Sequence, residues 1–409
     1  MELRSIERRW RSLLVLGAGF VATVGTAGSA PAQDGQRLTP GAVFTQTNTV
    51  PNYVSVFRRT ADGKLVAAGQ VLTGGNGQSA ANPPLGLPFA DSAGSVELSS
   101  GGDNKRCLFV TNIGSNTVSS FAVRPDGIEL VDQRPTNGSR PISLTSNSRG
   151  PMSLLLYVLN SDVAAASIQG YYVSGMCGLT PIPGSHRSTT PASQPAQIAF
   201  NERGTVLSVT KRFSAGGVCC GDIDIFPVDA SGVAGVPITS PSSGANPYGQ
   251  AWTKHDQLTV SNANVAFAPG STVSSYQLTE NNTLVPIAPA LVPSPGVACW
   301  NVVTDNGKFL YVTNPAGQLV GGTSITVFSI GRDGSLAPAG PGQNTLRNGL
   351  DLALSNDSRY LYVLSDQLLP FLAPFSAIDQ YSIDPETGQL TPIGVIEMPG
   401  NSTSGLAAW

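Results

Sequence analysis

The sequence predicts an all-β, seven-bladed β-propeller with four antiparallel strands in each blade, and two recurring phrases carry this prediction. The first is centred on a valine, as in "RCLFVTN", "LLLYVLN" and "GKFLYVTNP", and its valines are residues 110, 158, 209, 260, 312 and 363. Their spacings are 48, 51, 51, 52 and 51 residues, a period typical of propeller blades. A single four-stranded sheet is apolar on both faces, so each blade needs neighbours in a ring.

The second phrase is an alternating apolar run with an aromatic residue at its fourth position. Copies begin at Val54, Val118, Ile168, Ile223, Val273, Ile325 and Ile378, which makes seven. Turn pairs such as Asp126-Gly127 and Asp333-Gly334 follow and predict hairpins to a further strand. Apolar runs before the valine phrase, such as "PAQIAF" and "GLDLAL", predict the innermost strands. We expect the aromatic residues to fill the space between blades.

The two ends of the chain are predicted to close the ring together. The last six residues, "SGLAAW" from Ser404 to Trp409, match the innermost-strand pattern but have no valine phrase after them. The N-terminal copy has runs at Ala42–Asn48, Tyr53 and Leu65 for strands two to four but lacks an innermost strand. A C-terminal strand in the first blade would leave no open sheet edge there.

The N-terminus is predicted to be an export signal. Basic residues at positions 4, 8, 9 and 11 precede an apolar run from Leu13 to about Val24, and Ala30-Pro31-Ala32 follows. The run is shorter than the roughly 20 residues that span a membrane. We therefore divide the chain into a signal peptide (1–32), a short linker (33–40) and one propeller domain (41–409). The protein is expected to be periplasmic or extracellular, by either the general or the twin-arginine export route.

Composition narrows the classes of partner. Charged residues make up 12% of the chain, the formal net charge is -3, and Lys and Arg do not cluster after the signal. This argues against nucleic acid or an anionic membrane surface as a partner. A monomer that binds a small neutral or polar ligand in the central channel fits better, without membrane insertion after signal cleavage.

Residues that enter the innermost strands are the candidate ligand contacts, since these strands surround the channel and begin at its expected binding mouth. They are Arg140, Gln197, Tyr248, Gln250, Trp300, Asn301 and Asp351. Lys211 and Arg212 end a second strand and are predicted to point toward the same face. The alternative is that these polar groups line a wet channel and bond to water.

Other chemistry finds weaker support. His186 is predicted on the channel face and His255 on the opposite face, so the two histidines do not form a dyad by spacing. Serine elbow motifs and clustered His and Cys ligands are absent from the sequence. No cofactor is indicated with certainty, although calcium or magnesium bound by carboxylates and carbonyls stays open because oxygen ligands leave no sequence spacing.

The chain has five cysteines. Cys107 and Cys177 are predicted on one face of neighbouring blades, whereas Cys219 and Cys220 lie in a loop of the other face and Cys299 enters an innermost strand. A bridge between Cys177 and the adjacent pair would exceed the roughly 7 Å that a disulfide permits between Cα atoms. A Cys107–Cys177 bridge, a vicinal Cys219–Cys220 bridge and buried thiols remain as alternatives.

The phrases "GKFLYVTNP", "SRYLYVLSD" and "ETGQLTPIG" resemble the lactonase family of seven-bladed propellers, which includes propeller-type 6-phosphogluconolactonase and the carboxymuconate lactonizing enzymes. The resemblance extends over about residues 41–409 and implies the opening or formation of a sugar-acid or muconate-type lactone. Where active members tend to show an Arg-His pair entering an inner strand, this chain has Ala196-Gln197. The chain therefore looks more like an exported branch of the family than like the cytosolic sugar-phosphate enzymes.

Two functional hypotheses follow. The first is an exported lactonase or cycloisomerase in which Asp351 or His186 activates water and Lys211, Arg212 or a metal polarises the acyl oxygen. The second is a propeller that binds a partner on its rim without chemistry, which the same fold would equally support.

Overall fold

The computed structural model describes residues 37–78, 92–99, 106–149, 154–162, 164–189, 194–213, 221–264, 270–315, 323–345, 347–366, 375–399 and 403–409. The predicted signal peptide and the Cys219–Cys220 pair lie outside these residues. No helix among the described residues is long and apolar enough to cross a membrane.

The described strands form seven antiparallel sheets, which confirms the seven-bladed propeller. Blades are numbered along the chain, and their strands are given from the channel outward. Blade 1 has Ser404–Ala408, Gly41–Gln46, Tyr53–Arg59 and Leu65–Leu72; blade 2 has Val96–Leu98, Arg106–Asn112, Thr117–Arg124 and Gly127–Pro135. Blade 3 has Pro141–Ser148, Leu154–Asn160, Ser167–Val173 and an outer edge in two pieces, Leu179–Pro181 and Arg187–Ser188.

The remaining blades follow the same order. Blade 4 has Pro195–Phe200, Val206–Lys211, Asp222–Pro227 and Ile238–Pro241; blade 5 has Pro247–Trp252, Gln257–Asn262, Thr272–Leu278, Leu284–Pro286 and Val292–Pro293. Blade 6 has Asn301–Val303, Phe309–Asn314, Thr323–Ile330, Leu336–Pro338 and Gln343–Thr345; blade 7 has Asn348–Leu354, Tyr360–Asp366, Phe375–Ile383 and Leu390–Pro399. We call the face where the innermost strands begin the upper face, and the face where they end the lower face.

The predicted closure of the ring is confirmed. The C-terminal strand pairs with the strand Gly41–Gln46, with Ala408 opposite Val43 and Ser404 opposite Gln46. The Gln46 side chain donates to Ser404 Oγ over 3.0 Å. At the end of the chain, Trp409 stacks on Phe44 with ring centroids 6.1 Å apart. The first blade is thus built from both ends of the chain.

Seven apolar clusters hold the ring together. Six fill one interface each between adjacent blades, and the one between blades 6 and 7 extends to Tyr248 of blade 5 and Ala93 at the upper mouth. The aromatic residue of each third strand belongs to one of them, as predicted. These residues are Phe57, Phe121, Tyr171, Phe226, Tyr276, Phe328 and Tyr381, and each is at most 5% exposed. Their burial between blades supplies the core that a single sheet lacks.

In blades 2, 3, 5 and 6 the valine phrase ends in an asparagine that ties the blade to the one before it. In blade 2, Asn112 Nδ2 donates to Ser119 Oγ on the third strand over 2.8 Å, and Thr73 Oγ1, from the connection that leaves blade 1, donates to Asn112 Oδ1 over 2.6 Å. The same connection carries Gly75, whose Cβ would lie 2.4 Å from Asn112 Cγ, so a side chain there would break the contact. The repeated phrase therefore supplies both a strand and a tie between blades.

One of the three cysteine alternatives is realised among the described residues. Cys107, on the second strand of blade 2, forms a disulfide with Cys177 of blade 3, with Cα atoms 5.6 Å apart. Both residues lie toward the lower face, as predicted, and the bond links adjacent blades. The expectation of buried thiols is wrong for these two residues, whereas Cys299 is buried in the cluster between blades 6 and 7.

Candidate functional site

The upper mouth of the channel is filled by the segment Ser92–Gly94, which leads into blade 2. Trp300 Nε1 of blade 6 donates to Ser92 O over 2.8 Å, and Leu144 N of blade 3 donates to Gly94 O over 2.9 Å. Ala93 is 1% exposed and packs in the cluster that contains Trp300. The sequence pattern predicts the ligand at this mouth, and in the structure Ser92–Gly94 occupies it.

Among the described residues, the innermost strands expose side chains in the lower half of the channel. Register with the valine phrase defines levels along the innermost strands, and the residues opposite its valine are all buried: Val96, Leu144, Ile198, Gln250, Asn301 and Leu352. One residue further down, Glu97, Ala199, Ala251 and Val302 are partly exposed. Because blades enclose these strands on the other sides, this exposure is to the channel.

Asp351 faces the channel from blade 7, just below the filling segment. It is 8% exposed, and its Oδ2 accepts from Gly94 N over 3.2 Å while its Oδ1 accepts from Leu352 N over 2.9 Å. Burial raises the pKa of Asp351 to about 7, although backbone hydrogen bonds, including one from Leu406, favour the ionised form. The predicted base thus sits in the channel with a perturbed acidity.

A second carboxyl group in the channel, Glu97 of blade 2, was not identified from the sequence. Its Oε1 accepts from Ser146 Oγ and from Ser146 N of blade 3, over 3.1 and 3.3 Å. Burial raises the pKa of Glu97 to about 7, and the charge of Asp351 raises it further. Its level is occupied by Ala199, Ala251 and Ala353 in three other blades. A glutamate where the other repeats carry small residues is the signal that could have identified it.

The two carboxyl groups differ in how strongly their ionised forms are stabilised. Three backbone N–H groups stabilise the Asp351 carboxylate, whereas Glu97 accepts from a single serine residue. The charge of Asp351 also raises the pKa of Glu97. Asp351 therefore ionises more readily than Glu97.

Three predicted ligand contacts form an aromatic cluster beside the filled mouth. The Arg212 guanidinium lies 4.7 Å from the centroid of the Tyr248 ring. Tyr248 in turn packs edge-to-face on Trp300, with centroids 5.0 Å apart and an interplanar angle of 81°. Tyr248 and Trp300 are both buried. Their packing supports the Ser92–Gly94 segment above the channel.

Three further predicted contacts tie innermost strands together. Gln250 N donates to Gln197 Oε1 over 2.7 Å, and Gln250 Nε2 donates to Gln197 O over 2.9 Å. Asn301 Nδ2 donates to Gly249 O over 3.0 Å. These side chains bridge blades 4, 5 and 6 around the channel.

The structure does not bring the remaining predicted residues to the carboxyl pair. Lys211 Nζ lies 2.8 Å from Asp224 Oδ1, and both side chains are at most 1% exposed between strands two and three of blade 4. His186 is exposed between the two outer-edge pieces of blade 3, at the periphery of the ring. Arg140 is partly buried on the upper face, with a φ of 58° and its N–H bonded to Asn116 Oδ1. Within the described residues, groups of three or more His, Cys, Asp or Glu that could hold a metal are absent.

The carboxyl pair predicts a pH-dependent stability. The pKa of each group is about 7 in the folded protein, against ordinary pKa values of 4.5 for Glu97 and 3.8 for Asp351. The folded state therefore binds more protons than the unfolded state between about pH 4 and 7, and its stability falls as the pH rises through this window. Glutamine at position 97 does not titrate, so the Glu97→Gln variant should not lose this stability as the pH rises. We expect the free energy of unfolding of the variant, minus that of wild type, to be roughly 1–3 kcal/mol larger at pH 8 than at pH 5. Urea unfolding at both pH values measures this, and an equal difference at the two would contradict it.

Comparison with known proteins places the chain within a fold. No family model and no curated protein matches its sequence. A crystal structure from Bacteroides uniformis, recorded as a candidate 6-phosphogluconolactonase, aligns over 90% of this chain and 99% of its own with 15% identity and a TM-score of 0.60. The likeness shows the propeller fold.

Two other solved structures are similar to the same extent. A functionally unknown protein from Desulfotomaculum acetoxidans aligns over 88% of this chain and 99% of its own, with 15% identity and a TM-score of 0.56. A hypothetical selenium-binding protein from Sulfolobus tokodaii aligns over 92% and 94%, with 12% identity and a TM-score of 0.60. Proteins of different description share this architecture, so function has to be argued from the site.

Proposed function

We propose that the protein hydrolyses, or in reverse forms, a lactone of a small organic acid in the central channel, between the levels of Glu97 and Asp351. The observation that carries the proposal is the pair of carboxyl groups, Asp351 and Glu97, whose pKa values of about 7 suit acid–base chemistry at neutral pH. The sequence resemblance to propeller lactonases and the similar structure recorded as a candidate 6-phosphogluconolactonase support the same class of reaction.

The two groups would divide the reaction between them. The Asp351 carboxylate takes a proton from a water molecule as its oxygen adds to the lactone carbonyl carbon. The protonated Glu97 donates a hydrogen bond to the ring oxygen and transfers its proton to it as the acyl–oxygen bond breaks. Water is consumed and a hydroxy acid is released, after which a proton passes from Asp351 to Glu97 through solvent.

The charge of the site also bears on the substrate. An ionised Asp351 beside Glu97 repels anions in a partly enclosed channel. A neutral sugar-acid lactone is therefore favoured over a phosphorylated one and over a muconate-type lactone, which keeps a free carboxylate at neutral pH. Export, which the N-terminal sequence predicts, would agree with an unphosphorylated substrate.

A panel of neutral γ- and δ-lactones tests the proposal with the chain lacking residues 1–32, with calcium and with EDTA. We expect Asp351→Asn and Glu97→Gln each to lower kcat by about 10²–10⁴-fold, and the wild-type rate to peak near pH 7. Asp366→Asn is the matched control, because burial also raises the pKa of Asp366, to about 6, at the upper end of the second strand of blade 7. Absence of turnover on every lactone by folded protein would favour the non-catalytic binding hypothesis.

A further inference from the structure

We propose that the lower face carries the entrance and outer binding site for this ligand, a vestibule formed by the turns after the innermost strands of blades 4 to 7. This proposal rests on the proposed function, because it takes Glu97 as the residue that the ligand reaches from the vestibule. It reverses the expectation that the long connections of the upper face surround the binding mouth.

The vestibule is a depression of about 410 Å³ at the lower mouth, large enough for a small organic ligand. Its rim is formed by the first residue of four equivalent turns: Glu202, Lys254, Asp305 and Asn356. The wall includes Trp252, which is 8% exposed and donates from Nε1 to Ser208 Oγ over 2.9 Å. Its indole is thereby fixed at the point where the innermost strand of blade 5 ends.

The charges of the rim suit a neutral polar ligand. Lys254 Nζ lies 2.8 Å from Asp305 Oδ1, so a cation and an anion of adjacent blades are paired. Both side chains are more than half exposed and can exchange this contact for bonds to a ligand. Exposed Glu202 and Asn356 add a further acceptor and an amide. These groups can hydrogen-bond hydroxyl and carbonyl groups before the ligand passes inward.

The path inward from the vestibule is lined by small residues. Ala251 precedes Trp252 on the innermost strand of blade 5 and is partly exposed to the channel at the level of Glu97. Ala199 of blade 4 is partly exposed at the same level. Upward, the route ends at Asp351 and the segment Ser92–Gly94, where Asp351 Oδ2 accepts from Gly94 N. Glu97 is therefore accessible from below.

Cysteine labelling tests the route without requiring turnover, so its failure is distinguishable from failure of the proposed function. Cysteine is introduced by Glu97→Cys or, independently, by Ala251→Cys, and the labelling rate with a small methanethiosulfonate is followed by peptide mass spectrometry. Each probe is combined with Glu202→Trp/Asn356→Trp, which adds bulk to the rim and leaves the Lys254–Asp305 pair in place.

Both introduced cysteines should label in the protein with its natural rim. The rim variant should lower their labelling rates by about tenfold or more because it narrows the entrance. The matched control is Glu280→Trp/Arg332→Trp, on exposed outer turns of the same face in blades 5 and 6, and it should leave the rates unchanged. Circular dichroism confirms that each variant is folded. The proposal would be overturned if the rim variant did not lower the labelling rates. It would also be overturned if the cysteines stayed unreactive in folded protein with its natural rim.

Discussion

A chain that ends at Thr403 is expected not to fold into a cooperative structure. The missing residues form the innermost strand of blade 1, in which Ser404, Leu406 and Ala407 are at most 7% exposed. Their removal exposes the strand Gly41–Gln46 along its inner edge and opens clusters on both sides of blade 1. The cost is expected to exceed about 5 kcal/mol, the lower end of typical domain stability.

Thermal unfolding followed by circular dichroism, together with the elution volume on size exclusion, measures this effect. A synthetic peptide of residues 404–409 added to the truncated chain should restore a cooperative transition, because it supplies the missing strand. The same peptide with Leu406→Asp should not, since Leu406 is 5% exposed in a cluster with Phe57 and Tyr362. A truncated chain that melts like wild type would show that the ring does not depend on its closing strand.

Replacement of Lys211 by methionine is expected to destabilise the protein by about 3–5 kcal/mol, because it leaves the buried Asp224 carboxylate without its cation. The Lys211–Asp224 pair occupies positions that hold an uncharged pair of side chains in two other blades. Lys211 occupies the position of Asn112 and Asn262, and Asp224 occupies that of Ser119 and Ser274. Those asparagines donate to those serines over 2.8 and 3.1 Å.

This equivalence makes a sharp test possible. The double variant Lys211→Asn/Asp224→Ser installs the neutral pair of blades 2 and 5 and should recover most of the stability lost in Lys211→Met. Lys254→Met is the control, since it breaks a pair that is more than half exposed and should cost about 0–1 kcal/mol. Urea unfolding gives all three values. A Lys211→Met cost no larger than that of the control would refute a structural role for the buried pair.

The fold was predictable because its determinants are local and repeated. Strand alternation, turn residues and the phrase that ends in asparagine recur about every 51 residues, and each copy folds against its neighbours in the same way. Closure followed from the same pattern, since Ser404–Trp409 was recognisable as a strand without its partners. The Cys107–Cys177 bridge was among the alternatives because repeats assign residues to faces.

The candidate site was predictable only in part, because it depends on departures from the repeat. Asp351 could be identified as an innermost-strand residue, but Glu97 lies in a blade whose innermost strand, Val96–Leu98, is short and gives a weak signal. The filling of the upper mouth by Ser92–Gly94 depends on contacts such as that of Ser92 with Trp300, 208 residues away. Spacing alone does not reveal such a contact, so the sequence predicts binding at the upper mouth, whereas the lower-face entrance is proposed from the structure.

The construction of blade 1 also has a consequence for the order of folding. The innermost strand of the first blade follows the strands of every other blade in chain order, and its contact between Thr45 and Ser404 joins residues 359 positions apart. Blades 2 to 7 can assemble in sequence as the chain is made, because each is contiguous. Blade 1 must wait with its inner edge unpaired until the strand Ser404–Ala408 has been synthesised. Cooperative stability is therefore acquired in one late step, and a nascent chain remains open until this strand is available.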